Sequence, residues 1–228
     1  MPARFETPER YIDQGKANRE GLRAPRDGAV FHTSGAGAGG AAERYVERRT
    51  RSGHPSVCLE TTPLGGQAHS DRLYEDAAFN ELQRRRQVTG YVGSYAGAQR
   101  TFDGLSKIYA EETRGRVTVL HAGRSIHPDS TFARVEFDVL MKNPHVTEMN
   151  GIKGVELQRM RDDWAKAGRD GAAKEDRQRV MKDFVTKSRE RTLENKPQIT
   201  AESPRKNSSS WTGKTPARDS IKEKGKMK

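Results

Sequence analysis

The strongest apolar periodicity lies between residues 128 and 193, where three segments carry it. Segment 132–141 fits both a helix and a strand, because its apolar residues recur at helical spacing and also alternate. Pro128, just before it, favours the start of a helix. Two more helices are predicted, at about 155–167 and 172–193, and the glycine-containing loop between them indicates an αα-hairpin. We therefore expect a small α-helical region here.

Residues 70–88 carry the clearest helical pattern in the first half of the chain. Tyr74, Ala78 and Leu82 recur at i, i+4 and i+8, which gives the segment one apolar face. Acidic residues stand near its start and basic residues near its end, as the helix dipole favours. We predict a docking helix with a charged outer face. Its basic end offers electrostatic contacts to a partner through Arg84, Arg85 and Arg86.

The segments outside these helices are rich in glycine and other turn-forming residues. Residues 1–69 lack sustained periodicity and predict an extended Gly/Pro/Arg-rich arm, with one short helix at about 41–51. Residues 89–127 predict a Gly/Tyr-rich loop segment that contains a short strand candidate at 116–121.

The supply of large apolar side chains is small for a chain of 228 residues. Val, Ile, Leu and Phe together account for 36 of the 228 residues, about 16%. A chain in which these four types make up less than roughly 20% leans towards disorder. Ordering each residue costs about 1–2 kcal/mol of backbone entropy, which so few apolar groups do not offset over the whole length. We therefore expect a mostly irregular, extended chain with several short α-helices and little or no sheet.

The net charge indicates the class of partner, and the cysteine content indicates the redox compartment. The formal net charge is +11, and the basic tail at 194–228 holds nine Lys or Arg against three acids from Lys196 onward. This balance favours an anionic partner. The single cysteine excludes an intramolecular disulfide and fits a reducing compartment. No apolar run reaches the 18 or so residues of a membrane span, so we expect a cytoplasmic protein with no membrane partner.

Sequence motifs for catalysis, metals or cofactors are weak. Residues 35–40 spell G-x-G-x-x-G after a short apolar run, but the chain lacks the alternating βα pattern of a dinucleotide-binding fold. His121 and His127 lack the close ligand pairs of a zinc site. Cys58 has no signature that places a base beside it. We therefore expect no catalytic residues, no metal, no cofactor and no small-molecule substrate.

Aromatic residues in glycine-rich or polar surroundings are candidate anchors for a partner, because tyrosine and tryptophan supply rigid contact area with a polar tip. Residues 90–97 set two tyrosines four positions apart between glycines. The expected partner-binding residues, with the three arginines of the docking helix, are Tyr45, Tyr74, Phe79, Arg84, Arg85, Arg86, Tyr91, Tyr95, Trp164 and Trp211.

In general character the chain resembles the small microtubule inner proteins and other flagella-associated proteins of ciliary doublets. The features that carry the resemblance are residues 5–11 (Phe-Glu-Thr-Pro-Glu-Arg-Tyr), the tyrosine strip at 90–97 and the turn-rich arm. The resemblance implies loops and short helices that thread along the acidic tubulin lattice beside neighbouring structural proteins. It also implies a place in the cytoskeleton, in the axoneme of a cilium or flagellum.

The leading expectation is a non-enzymatic structural protein that binds along the microtubule lattice and stabilises the doublet. The alternative is an RNA-bound structural component of a ribosome or other ribonucleoprotein, because basic tails and arginine triplets suit a phosphate backbone equally. A third class is an enzyme or toxin domain with an unrecognised site. Convergent histidine and acidic groups would favour that third class.

Overall fold

The computed structural model describes residues 8–33, 38–70, 95–121, 125–167 and 173–194. The chain divides into two units, Met1–Lys196 and Pro197–Lys228, and every described residue belongs to the first. Within the described ranges, no helix is both long enough and apolar enough to cross a membrane.

Most of the described residues are helical. The α-helices are α1 (Pro8–Ala17), α2 (Ala38–Arg51), α3 (Pro63–Ser70), α4 (Tyr95–Glu112), α5 (Phe137–Lys142), α6 (Gly154–Ala167) and α7 (Ala173–Glu194). Short 3-10 turns lie at Arg19–Leu22 and Leu59–Thr61, and a π-helical turn at Phe132–Glu136 runs directly into α5. The expectation of a mostly irregular, extended chain is therefore wrong.

Four short strands form one mixed sheet. In spatial order they are β1 (Ala29–His32), β2 (Gly115–Leu120), β3 (Val146–Met149) and β4 (Ile152–Lys153). β1, β2 and β3 run parallel, and β3 and β4 are antiparallel. The turn between β3 and β4 is Asn150-Gly151, with φ values of 48° and 85°, the positive values that a two-residue hairpin turn favours. The expectation of little or no sheet is also wrong.

The core combines large apolar side chains from the helices and the sheet. The ring centroid of Phe132 lies 5.7 Å from that of Phe137 and 6.4 Å from those of Phe31 and Phe184. Trp164 of α6 packs edge-on against Phe137 at 4.9 Å. Among the side chains that the structure describes, no large apolar residue other than Val155 is exposed. Most of the large apolar residues whose side chains the structure describes are buried and so form a core, which overall composition did not reveal.

Several local predictions are confirmed. Segment 132–141 is helical, and α6 and α7 pack against each other as the predicted hairpin. The helix at about 41–51, the strand at 116–121 and the helices at about 155–167 and 172–193 correspond to α2, β2, α6 and α7.

Two segments differ from the prediction for a physical reason. Residues 8–70 hold α1, β1, α2 and α3 in place of the expected extended arm, and α4 replaces part of the expected Gly/Tyr-rich loop. Glycine in α4 permits close helix packing, because a Cβ atom at Gly104 would lie 2.5 Å from Cγ1 of Ile12 in α1. The predicted helix at 70–88, apart from Ser70, and the basic tail, apart from Glu194, lie outside the described residues.

Candidate acid–base site

The carboxyl end of strand β1 carries a histidine, His32, beside the parallel strand β2. Ligands of open sheets commonly bind in the crevice outside the carboxyl ends of parallel strands. Val57 pairs with Ala29 through an isolated parallel bridge, and the 3-10 turn that follows brings Glu60 to the same edge. The Cys58 amide donates to Oγ1 of Thr61 at 2.9 Å, which fixes the geometry of this turn.

His32 and Glu60 form a partly buried pair. Nε2 of His32 lies 2.8 Å from Oε1 of Glu60, and the two side chains are 22% and 14% exposed. The other ring nitrogen, Nδ1, is buried and has no hydrogen-bond partner among the described residues, and the Cys58 thiol lies within hydrogen-bonding reach of the Glu60 carboxylate. A buried polar atom without a partner costs free energy, so such atoms are expected where a ligand or reacting group completes them.

Glu136 is a second carboxyl group near this pair. It is the last residue of the π-helical turn, its residue is 7% exposed, and the Ser106 hydroxyl is its hydrogen-bond partner. π-helical turns are rare and occur frequently at functional sites. The charge of Glu136 acts on the pKa of His32, and the charges of His32 and Glu60 act on the pKa of Glu136.

The His32–Glu60 pair favours its charged form. Burial alone would lower the pKa of His32, but the hydrogen bond to Glu60 and the charges of Glu60 and Glu136 outweigh it, so the pKa is raised. Burial would raise the pKa of Glu60, but the hydrogen bond and charge of His32 outweigh that effect and lower the pKa. Glu60 is therefore ionised at neutral pH.

Glu136 has the opposite protonation preference. Burial raises the pKa of its carboxyl group to about 8, although the Ser106 hydrogen bond and the charge of His32 oppose the shift. The charge of Glu60 adds to the increase. One carboxyl group of the site is therefore ionised at neutral pH while the other carries a proton, which is the arrangement that acid–base catalysis uses.

Tyr109 of α4 fixes the two chain segments that carry His32 and Glu60. Its hydroxyl donates to the Val57 carbonyl at 2.7 Å and accepts from the Val30 amide at 3.2 Å. Burial raises the pKa of Tyr109 well above its ordinary value, so the hydroxyl keeps its proton. Burial and the charge of Glu60 also raise the pKa of the Cys58 thiol to about 12, so Cys58 is neutral at physiological pH.

The described residues show no set of contacts for a metal ion or for a dinucleotide. Within the described ranges, no group of three or more His, Cys, Asp or Glu residues is arranged to hold a metal ion. β1 precedes the G-x-G-x-x-G motif and α2 begins within it, but residues 35–37 of that motif lie outside the described residues.

Three of the residues predicted to bind a partner lie among the described residues. Tyr45 of α2 is half-buried and packs against a small cluster that includes Val30 and Cys58. Trp164 is 3% exposed, so its indole belongs to the core. Tyr95 is the first residue of α4. The others lie outside the described residues: Tyr74, Phe79, Arg84, Arg85, Arg86, Tyr91 and Trp211.

Sequence analysis missed the acid–base residues, although one of them left a pattern. Glu136 stands four residues after Phe132 and four before Leu140, so it occupies the apolar face of its own helical segment. An acid in that position predicts a buried carboxyl group. His32 and Glu60 left a weaker pattern, because each only ends a short apolar run.

Comparisons with known proteins give little further information. No protein-family model and no curated protein matches the chain. A crystal structure of Aplysia cyclase, complexed with its substrate NGD and product cGDPR, is similar at 18% identity with a TM-score of 0.37. The match covers 64% of this chain and 57% of that chain, so less than two thirds of the Aplysia protein is spanned. A likeness this weak does not establish a shared fold.

Proposed function

We propose that the chain is an enzyme that uses His32, Glu60 and Glu136 for general acid–base catalysis. The observation that carries the proposal is the mostly buried His32–Glu60 pair, with 2.8 Å between Nε2 and Oε1, together with a buried carboxyl group, Glu136, whose pKa is raised by burial. Titratable groups whose environments push their pKa values apart are characteristic of catalytic acid–base pairs. Their position at the carboxyl end of β1 is a second support.

Each residue has a distinct role in the proposed reaction. At pH values above the raised pKa of His32 the ring is neutral, and Glu60 then accepts its Nε2–H and orients it, which leaves Nδ1 as the nitrogen that takes a proton from water. The water oxygen bonds to the substrate carbon as the bond to the leaving group breaks. Glu136 gives its proton to the leaving group. Exchange with solvent then returns the proton from His32 to Glu136.

Glycosides are the substrate class that this arrangement suits best. Most glycosidases use two carboxyl groups, one of which has a raised pKa and protonates the leaving group. Glu136 matches that acid, and the Glu60–His32 pair takes the part of the base. We therefore propose hydrolysis of a glycosidic bond.

Hydrolysis of a defined substrate set tests this function. The purified chain is incubated with a set of nitrophenyl glycosides of different sugars and of both anomers, and proton NMR detects release of the free sugar. We expect turnover of at least one member. Glu136→Gln is expected to lose about 10²–10⁴-fold in rate, the usual contribution of a general acid. His32→Gln is expected to lose a similar factor.

Glu47→Gln is the matched control, because Glu47 is an exposed carboxyl group on α2 that pairs with Arg51. It is expected to retain the wild-type rate. Far-UV circular dichroism verifies that each variant is folded. Wild-type rates in Glu136→Gln, or no turnover of any member by the wild type, would contradict the proposal.

Binding to an acidic polymer such as tubulin, to neighbouring structural proteins or to RNA stays a prediction, as does a place in the cilium or flagellum. The formal charge of +11 supports an anionic partner. Co-sedimentation with microtubules in the presence of competing RNA tests these alternatives. Pelleting that survives RNA supports the lattice-bound protein, and preferential capture of RNA supports the ribonucleoprotein component.

A further inference from the structure

A concave surface lies between α5, α6 and α7. It is an open groove of about 640 Å³, a volume within the range of small-molecule sites. Three of its residues are basic, Lys142, Arg161 and Arg177, and two are acidic, Asp138 and Asp162. None of these belongs to the His32 site.

The two acids of the groove already have partners. Asp138 accepts from Nε1 of Trp164 at 3.0 Å and from Nζ of Lys142 at 2.7 Å, so each of its oxygens is engaged. Burial would raise the pKa of Asp138, but these two bonds and the charges of Lys142 and Arg177 outweigh it and lower the pKa. The bond to Asp138 neutralises Lys142. Asp162 accepts from the neutral side-chain amide of Gln158 at 3.0 Å and keeps its negative charge, so the groove has a net charge of about +1.

Arg161 is held in place without an acidic partner. Its Nη2 donates to the backbone carbonyls of Asn143 and Val146, both at 2.8 Å. Its Nε is buried and has no hydrogen-bond partner among the described residues. Two neutral carbonyl groups fix the guanidinium group but leave its positive charge uncompensated.

Arg177 of α7 also lines the groove. Its Cζ atom lies 5.1 Å from the ring centroid of Trp164, a cation–π contact that holds the guanidinium group over the indole. The Nε atoms of both arginines are buried, so their Nη groups are the donors that a ligand in the groove can reach. Two guanidinium groups without an ion pair among the described residues therefore line one groove, an arrangement that suits an anion.

We propose that this groove binds the phosphate group of a small molecule between Arg161 and Arg177. A phosphate monoester carries nearly two negative charges at neutral pH, which matches two guanidinium groups better than a carboxylate does. Met141 and Pro144 line the same groove and offer apolar surface to the remainder of the ligand. This site is independent of the acid–base residues.

Calorimetric titration of the full chain tests the proposal. The probes are inorganic phosphate, phenyl phosphate and acetate at fixed ionic strength. We expect phenyl phosphate to bind most tightly and acetate most weakly. Arg177→Gln and Arg161→Gln are each expected to weaken phenyl phosphate binding at least about tenfold, since each removes a charge-assisted contact. Arg177→Lys is expected to recover part of the affinity, because it restores the charge without the planar fork.

Two variants serve as controls. Arg48→Gln removes an exposed arginine of α2 and is expected to leave binding unchanged. Glu136→Gln is also expected to leave it unchanged, so failure of this proposal is distinguishable from failure of the proposed catalysis. Unchanged binding in both Arg177→Gln and Arg161→Gln, or no binding of either phosphate probe, would overturn the site. Equal affinity for inorganic phosphate and phenyl phosphate would overturn the small-molecule ligand.

Discussion

Glu136 carries its proton at neutral pH because burial raises the pKa of its carboxyl group from 4.5 to about 8. In the unfolded chain the same group ionises near 4.5. Between these two values the folded state binds more protons than the unfolded state, so the free energy of unfolding falls as pH rises. The slope that one group contributes approaches about 1.4 kcal/mol per pH unit.

The pKa shifts of His32 and Glu60 change the free energy of unfolding at opposite ends of the pH range. The raised pKa of His32 stabilises the fold fully below its ordinary value of 6.5, and that stability is lost as pH rises through the folded pKa. The lowered pKa of Glu60 stabilises the fold above 4.5, and that stability is lost as pH falls through the folded pKa. The fold is therefore less stable at alkaline pH, because Glu136 must ionise while it is buried and His32 loses the proton that stabilises its pair with Glu60.

The first prediction concerns Glu136→Gln. Glutamine does not ionise, so the variant lacks the cost of keeping a buried carboxyl group protonated as pH rises. Relative to wild type, its free energy of unfolding is expected to increase by about 2–4 kcal/mol between pH 5 and pH 8. Urea denaturation at several pH values measures the difference. A difference between the two proteins that is independent of pH would contradict a raised pKa.

At the scale of residues, only part of the site could be predicted from the sequence. Glu136 was recognisable as an acid on an apolar helix face. The site itself was not, because His32 and Glu60 are 28 residues apart and meet only when Val57 pairs with Ala29. That single bridge leaves no repeating pattern in the sequence.

At the scale of elements, the start of strand β2 depends on a glycine, Gly115. Gly115 is the first residue of β2 and has a φ of 78°. A Cβ atom there would collide with Oδ1 of Asp27, which accepts the Arg116 amide at 2.6 Å. Asp27 also has a positive φ, 65°, so both sides of this contact depend on unusual backbone conformations.

The second prediction compares Gly115→Ala with Gly53→Ala. Gly53 also has a positive φ, 80°, but a Cβ atom there would meet nothing within 4 Å. Gly53→Ala is expected to lose about 1 kcal/mol of unfolding free energy, the cost of a left-handed alanine. Gly115→Ala is expected to lose at least about 2 kcal/mol more, because the collision adds to that cost. Equal losses in urea denaturation would show that the Asp27 contact is unimportant.

Helices with clear apolar faces were predictable, but the sheet was not. β1, β3 and β4 have four, four and two residues, too few for alternation to establish a strand. The Asn150-Gly151 dipeptide was the strongest available indication of a hairpin. Asn150 also extends the sheet with its side chain, which accepts the Val119 amide at 2.7 Å and donates to the Val119 carbonyl at 2.8 Å.

At the scale of the molecule, one apolar core joins the sheet to helices from both ends of the described chain. It includes Tyr11 of α1, Val117 of β2, Trp164 of α6 and Phe184 of α7. Such a shared core predicts cooperative unfolding, because no element can lose its packing without exposing the others.

The third prediction follows from this cooperativity. The Trp211→Phe variant keeps Trp164 as its single tryptophan. Its fluorescence reports on α6, while far-UV circular dichroism reports on all helices. The two urea transitions are expected to have the same midpoint. A lower midpoint for Trp164 fluorescence would indicate that the α6–α7 hairpin unfolds separately from the sheet.

Overall composition misled the sequence analysis at this scale. The disorder threshold averages apolar residues over the whole chain, including a tail of low apolar content. It takes no account of where those residues fall. Phe132, Phe137 and Phe184 are all fully buried, so a few aromatic rings fill a volume that the average did not anticipate.

The most direct test of the acid–base site is a carbon-13 NMR titration of the glutamate side-chain carboxyl groups in the full chain. Glu136→Gln and Glu60→Gln each remove one resonance and so assign both groups. The account predicts that Glu136 titrates at about pH 8 and that Glu60 titrates below 4.5. Titration of both groups near 4.5 would contradict it, because the site would then hold no carboxylic acid at neutral pH.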